Sequence, residues 1–377
     1  MAMTEARELS LDLARPELGE EEERLVLEVL RSGRLSLGPM LERFETEFAT
    51  WLGVDHAVAT NSGTAALHLG VRALDWGRGD SVVLSPFTFV ASANALLYEG
   101  VRPRFADVDP VTLALDPGSA AEAIGDDTVG LMPIDIFGFP SDMPAFEALA
   151  GERGLGLLED AAQAIGAIDA EGRLVGSRGS PTAFAFYANK QITTGEGGIL
   201  VCPTSEMADR VRSERNQGRA PDMTRMDHTG LGFNYRMSDL SAAIGVAQVE
   251  RLDEILSRRA EVAVGYASRL EGIAGLTLPP PGHGEAVRSW FVYPVMVSDG
   301  VDRDAVIERL GAAGIPSKAY LPSIHLFPQF AEFGYGAGDF PVAESASARS
   351  LALPFHAGLS TDDIDRVAVA LEGALDA

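Results

Sequence analysis

The sequence predicts an α/β protein, with a large domain on a mostly parallel sheet and a smaller C-terminal α+β domain. Three observations predict it. Short apolar runs alternate with amphipathic stretches of about a dozen residues, the pattern of strands joined by crossover helices. Asn61, Phe89, Asp160 and Lys190 each fall just past the end of such a run, where open parallel sheets gather their ligands. The alternation stops near Leu252–Ser257, where a long charged helix begins, giving domains 1–253 and 254–377. A chain of 377 residues is long enough for two domains.

Each element has a local cause. Glu20–Ser32 carries Leu25, Val26, Val29 and Leu30 on one face, acidic residues in its first turn and Gly33 as a stop. Met40–Leu52 repeats the pattern through Leu41, Phe44, Phe48 and Trp51. Val54–Ala59 reads as a strand feeding Asn61-Ser62-Gly63, with Ser62 the N-cap of a helix running to Leu74. Ser81–Ser85 is a strand ended by Pro86, and Phe87-Thr88-Phe89 opens a helix to Tyr98. Arg102–Val108, Val129–Ile134 and Leu155–Leu158 read as strands, and Asp142–Gly154 as a helix with Pro144 in its first turn. The last of these strands runs straight into Glu159-Asp160. Beyond the runs flanking Lys190 come a polar helix (Glu206–Asn216), a loop (Gly218–Gly232) and an apolar helix capped by Ser238. The charged Glu250–Leu270 helix bridges the domains. Pro279–Gly282 is a rigid loop, Trp290–Val297 a strand, and Asp302–Ala313 and Thr361–Leu375 are capped helices.

Composition narrows the function. A formal net charge of −25 disfavours nucleic acid and anionic membrane as partners. There is no apolar run of some 18 residues, and the acidic start Met-Ala-Met-Thr-Glu-Ala-Arg-Glu does not read as a signal peptide. The single cysteine, Cys202, ends an apolar strand and reads as a small core residue, so a reducing cytoplasm is the expectation. The six histidines are widely spaced, and nothing in their pattern points to a metal site.

Chemistry concentrates in Ala183–Val201, A-F-A-F-Y-A-N-K-Q-I-T-T-G-E-G-G-I-L-V. Lys190 stands alone between two core-like strands. Burying an ammonium group is unfavourable unless it is paired or used, and one use is as a nucleophilic amine of lowered pKa. The alternative is a loop lysine in solvent. The Gly63 helix start offers unpaired amides and a positive dipole end to an anion, or is simply a capped helix. A lysine, an aspartate, an anion site and an aromatic plate together match the needs of pyridoxal phosphate.

Five segments carry a resemblance: N-S-G-T-A-A-L-H-L, P-F-T-F, E-D-A-A-Q-A-I-G-A, F-Y-A-N-K-Q-I-T-T-G-E-G-G and G-F-N-Y-R-M-S-D-L. In order and spacing they resemble the DegT/DnrJ/StrS sugar aminotransferases over nearly the whole chain. The resemblance implies a fold-type I aminotransferase using pyridoxal 5'-phosphate, with pyridoxamine 5'-phosphate as the intermediate form, in a cytoplasmic homodimer with shared sites. It implies Lys190 as the Schiff-base lysine and proton carrier, Asp160 as partner of the pyridine nitrogen, and Gln163 beside the ring hydroxyl. Phe89 becomes the stacking aromatic, Gly63, Thr64 and Ala65 the phosphate cradle, and Asn234 a phosphate contact from the other subunit. Arg236 is assigned to the interface or the substrate phosphates, and Tyr320 and His325 to the substrate side. Two departures stand out: Ala185 where many members have a phosphate-binding serine, and Asp135 where many have histidine. Relatives that dehydrate sugars have histidine at the lysine position, so Lys190 favours transamination. The implied reaction passes an amino group from L-glutamate to a nucleotide-linked keto sugar, a 4-keto-6-deoxyhexose by preference. The alternatives are amination of a keto-cyclitol and a cofactor-binding regulator without turnover.

Overall fold

The computed structural model describes residues 11–220 and 227–376. The acidic start and the middle of the Gly218–Gly232 loop lie outside the described residues.

The N-terminal helices α1 (Glu20–Ser32) and α2 (Pro39–Leu52) form where the apolar periodicity placed them, and each stops at a glycine in the left-handed region, Gly33 (φ 70°) and Gly53 (φ 77°). The chain continues as β1 (Ala57–Thr60), α3 (Gly63–Ala73), β2 (Ser81–Leu84), α4 (Ala91–Tyr98), β3 (Arg102–Phe105), α5 (Pro117–Ala123), β4 (Thr128–Met132) and α6 (Met143–Arg153). Then come β5 (Gly156–Leu157), β6 (Glu159–Asp160), β7 (Thr182–Ala185), β8 (Gly198–Val201), α7 (Ser205–Arg215) and α8 (Asp239–Glu250). Side-chain N-caps come from Ser62, Asp142 and Ser238.

Two four-stranded sheets, β3-β2-β4-β5 and β1-β8-β7-β6, meet in the single segment 156–160. Leu158 N–H donates to Leu131 O at 3.1 Å, and Ile134 bridges Asp160, so the sheets are continuous. Pairing is parallel from β3 to β7. It turns antiparallel at β8, against both β7 and β1, because β7 and β8 are the two legs of the lysine hairpin. One core fills the side of α3 and α4, and a second, with Phe44, Phe48, Phe184 and Phe186, fills the side of α1, α2 and α8.

The helix α9 (Leu252–Leu270) places Leu252 and Ile255 in the second core and Val262, Tyr266 and Leu270 in a third. The third core belongs to β9 (Leu276–Thr277), β12 (Tyr293–Val297), α10 (Arg303–Ala312), β13 (Lys318–Ala319), β14 (Ser350–Leu353) and α12 (Thr361–Leu375), with the sheet ordered β13-β14-β12-β9. The short pair β10 (Gly282–His283) and β11 (Ala286–Val287) lies outside this sheet, and α11 (Pro341–Arg349) packs Ala343 and Ala346 into the first core. Among the described residues no helix is long and apolar enough to cross a membrane.

Candidate active site

The lysine hairpin is closed by its own backbone. Phe186 N–H donates to Gly197 O at 2.9 Å, and Thr194 N–H returns to Phe186 O at 3.0 Å. Gly195 takes a φ of 79°, and its N–H donates to Thr193 Oγ1 at 2.8 Å. Lys190 sits in the bend, its N–H on Tyr187 O at 2.9 Å. Its Nζ lies 4.1 Å from the centre of the buried Phe291 ring and has no hydrogen-bond or ion-pair partner among the described residues. Burial lowers the amine to about 8, against the opposing pull of Asp160.

Asp160 ends β6 and is buried. Ser92 Oγ donates to its Oδ2 at 2.6 Å, and Ala162 N–H to its Oδ1 at 3.1 Å. Behind Ser92, the Thr88 hydroxyl is 3.1 Å away. Burial raises the Asp160 carboxyl, and the Ser92 and Ala162 donors, then Lys190, oppose that rise.

At the start of α3, Ser62 Oγ accepts from Ala65 N–H at 3.1 Å, which leaves the first-turn N–H groups of Gly63 and Thr64 without helical acceptors. A Cβ on Gly63 would lie 2.5 Å from the Ala185 Cβ, so only glycine lets this turn close onto the end of β7. Phe89 is 60% exposed, unusual for a phenylalanine between a core strand and a core helix. Gln163 is buried, and its Oε1 accepts from Phe137 N–H at 2.9 Å, so its two amide protons point elsewhere. Phe137 itself holds a left-handed φ of 54°.

The remaining predicted residues separate. Asn234 is exposed and lies beside this helix start, its carbonyl accepting from Asn61 Nδ2 at 3.2 Å. Its neighbour Tyr235 is held by His68, whose Nδ1 is 3.0 Å from the phenol oxygen. Arg236 donates to Asn216 Oδ1 at 3.0 Å. Tyr320 is half-buried near the lysine: its ring packs with Phe137 and Phe291, and burial raises its phenol against a hydrogen bond with Asn189. His325 departs from the substrate-side expectation. It is fully buried between Phe105 and Phe340, with Nε2 3.2 Å from Glu344 Oε1, so it has no open face to offer a sugar.

Three residues that touch this arrangement were not singled out from sequence. Ser92 follows Thr88 at a spacing of four, and the two hydroxyls meet at the start of α4, a signal open to reading. Gln191 holds Gln163 O at 2.7 Å and Ser289 Oγ at 3.1 Å. Phe291 lies just ahead of β12 and carries no sequence mark of its place.

Fold and site define the class: a fold-type I, pyridoxal-phosphate-dependent sugar aminotransferase. The chain belongs to the DegT/DnrJ/EryC1/StrS aminotransferase family, which it matches over residues 16–372. The spore coat polysaccharide biosynthesis protein SpsC of Bacillus subtilis is 38% identical, with 97% of each chain covered. GDP-perosamine synthase of Caulobacter vibrioides is 37% identical, covering 97% of this chain and 98% of that one. The crystal structure of S. venezuelae DesV in complex with a ketimine intermediate is similar with a TM-score of 0.89 and 35% identity, over 95% of each chain.

Proposed function

We propose that this protein moves an amino group from L-glutamate to a nucleotide-linked keto sugar, a 4-keto-6-deoxyhexose by preference, with pyridoxal 5'-phosphate held at Lys190. The observation that carries the reading is the pairing of an unpartnered amine lowered to about 8 with a buried carboxylate that has hydroxyl and amide donors but no ion-pair partner among the described residues. The likeness to GDP-perosamine synthase supports a nucleotide-linked substrate.

The residues fit the cofactor. The free amides of Gly63 and Thr64 suit its phosphate, and the exposed face of Phe89 suits its ring. The amide protons of Gln163 suit a ring oxygen, and Asp160 Oδ2 suits a protonated ring nitrogen. When bound, the cofactor supplies the electron sink that transfer of nitrogen requires. The protein supplies the rest. With its pKa near neutrality, Lys190 Nζ is deprotonated often enough to act as a nucleophile, and basic enough to take up and return the proton at the substrate's amine-bearing carbon. Ser92 and Ala162 donate to Asp160 and oppose the rise that burial imposes on its carboxyl. Ala185 adds no donor to the phosphate cradle, so the helix amides and nearby hydroxyls carry that contact. The proposal includes a homodimer in which Asn234 reaches the partner's phosphate cradle and Arg236 faces the interface or the substrate phosphates. Tyr320, beside Phe137 and Phe291, lines the substrate side.

The test incubates the holoenzyme with glutamate and a panel of nucleotide-linked keto sugars, read by mass spectrometry as amino-sugar product. Borohydride reduction followed by peptide mapping is expected to place the cofactor label on Lys190. A label on another residue removes the assignment of the lysine, and turnover confined to cyclitol ketones removes the assignment of the substrate.

A further inference from the structure

Away from the lysine, the N-terminal segment, the start of α9 and the turn after β14 enclose a cavity of about 320 Å³. Its walls bring together Arg15, Arg251, Arg258 and His356. Three guanidiniums on one cavity stand out in a chain of net charge −25.

Three carboxylates answer this charge: Glu254 Oε1 lies 3.9 Å from Arg258 Nη1, and two nearer ones fix the geometry. Glu17 Oε2 accepts from Arg258 Nη1 at 2.7 Å, and Glu22 Oε1 accepts from Arg251 Nη2 at 3.0 Å. Backbone acceptors hold the same side chains: Ala357 O at 3.1 Å for Arg258, and Glu17 O at 3.2 Å for Arg251. Donors remain. Arg15 is exposed and has no hydrogen-bond or ion-pair partner among the described residues. His356 Nδ1 accepts from Gly358 N–H at 3.2 Å, so in the neutral ring the proton is on Nε2, a further donor. The guanidinium of Arg15 and the Nε2–H of His356 therefore remain as the donors left to the cavity.

We propose that this cavity binds a small phosphate-bearing anion. A phosphate group matches the planar forks of arginine and accepts from several donors at once. The volume is sufficient for a diphosphate as well as a monophosphate. One wall is continuous with the catalytic hairpin: Gln248 Nε2 donates to Glu17 O at 2.7 Å and to Glu22 Oε1 at 2.6 Å, while its Oε1 accepts from Thr193 N–H at 3.2 Å.

The test is calorimetric titration of the holoenzyme with inorganic pyrophosphate, and in parallel with inorganic phosphate, at low ionic strength. Saturable binding is expected, weakened at least about tenfold by Arg15→Met and by Arg251→Gln, and unchanged by Arg366→Met on the exposed face of α12. Pyrophosphate bound tighter than phosphate assigns a diphosphate group, and equal binding assigns a monophosphate. Arg15→Met removes no intramolecular bond found among the described residues, so a well-folded variant stays available if Arg251→Gln fails to fold. No saturable heat, or heat that Arg15→Met leaves unaltered, overturns the site.

Discussion

Glu159 and Asp160 are adjacent on one short strand, both are buried, and they face opposite sides of the sheet. Their surroundings set them apart. Asp160 receives the Ser92 hydroxyl and the Ala162 amide and lies within the field of Lys190. Glu159 receives Thr182 Oγ1 at 2.8 Å on one oxygen, while its other oxygen has no partner. Burial, with the charge of Asp169 adding to it, raises Glu159 to about 7 despite the Thr182 and Gly176 donors and Arg178. Asp135 beside it is raised too, by burial first and then by Glu159. One face of the strand thus presents a carboxyl whose rise on burial is opposed by two donors and Lys190, and the other holds carboxyls that favour the neutral form. Position in the sequence does not set how each acid is held; the donors that each face supplies do.

The sharpest break of this comparison comes from the amine that Asp160 faces. Lys190→Ala is expected to lower kcat by at least about 10³–10⁴-fold in the glutamate half-reaction, read by stopped-flow absorbance, with the fold retained by circular dichroism. Asp160→Asn keeps the shape and removes the charge, and a loss of about 10²-fold is expected. Glu159→Gln is expected to leave kcat within a few-fold; a loss there equal to that of Asp160→Asn would erase the distinction between the faces.

Stability supplies the next test, with the opposite sign. The folded protein holds the Glu159 proton more tightly than the unfolded chain, so this group's contribution to stability is greatest at low pH and falls as pH rises from about 4.5 through 7. Glu159→Gln removes that loss, and urea denaturation at pH 8 is expected to show a gain of up to about 2–3 kcal/mol over wild type, with little difference at pH 4.5. Smaller effects follow on the Asp160 face. Ser92→Ala takes away one donor and is expected to weaken cofactor binding to the apoprotein by about tenfold, with Ser92→Thr restoring it. Ala185→Ser adds a hydroxyl beside the Gly63 turn and is expected to tighten the same equilibrium by only a few-fold.

Much of this arrangement was legible in the sequence because its parts obey local rules. Ser62, Asp142 and Ser238 cap helices as their residue types require, and Asp160 and Lys190 lie at strand ends that apolar runs mark. Cys202 is buried as expected, its thiol raised to about 12 by its apolar surroundings. What depends on distant packing was not legible. Phe291 reaches Lys190 from the bend just ahead of β12, far along the chain, and the antiparallel turn at β8 follows from hairpin geometry that apolar runs do not encode. His325 was placed on the substrate side by the resemblance of its segment, but a ring between two phenylalanines and a glutamate belongs to the interior. Ser92 shows the intermediate case, a visible spacing whose use depends on where α4 meets β6.

The hairpin closure has a further consequence, in the thermodynamics of cofactor capture. Its bonds from Phe186 to Gly197 and from Thr194 back to Phe186 are made by the chain alone, so the lysine bend is ordered as the protein folds. The entropy loss of fixing that loop is incurred in folding and is absent from the binding equilibrium. Cofactor affinity then reports the direct contacts of the site, and a substitution that loosens the hairpin weakens capture without touching the ligand.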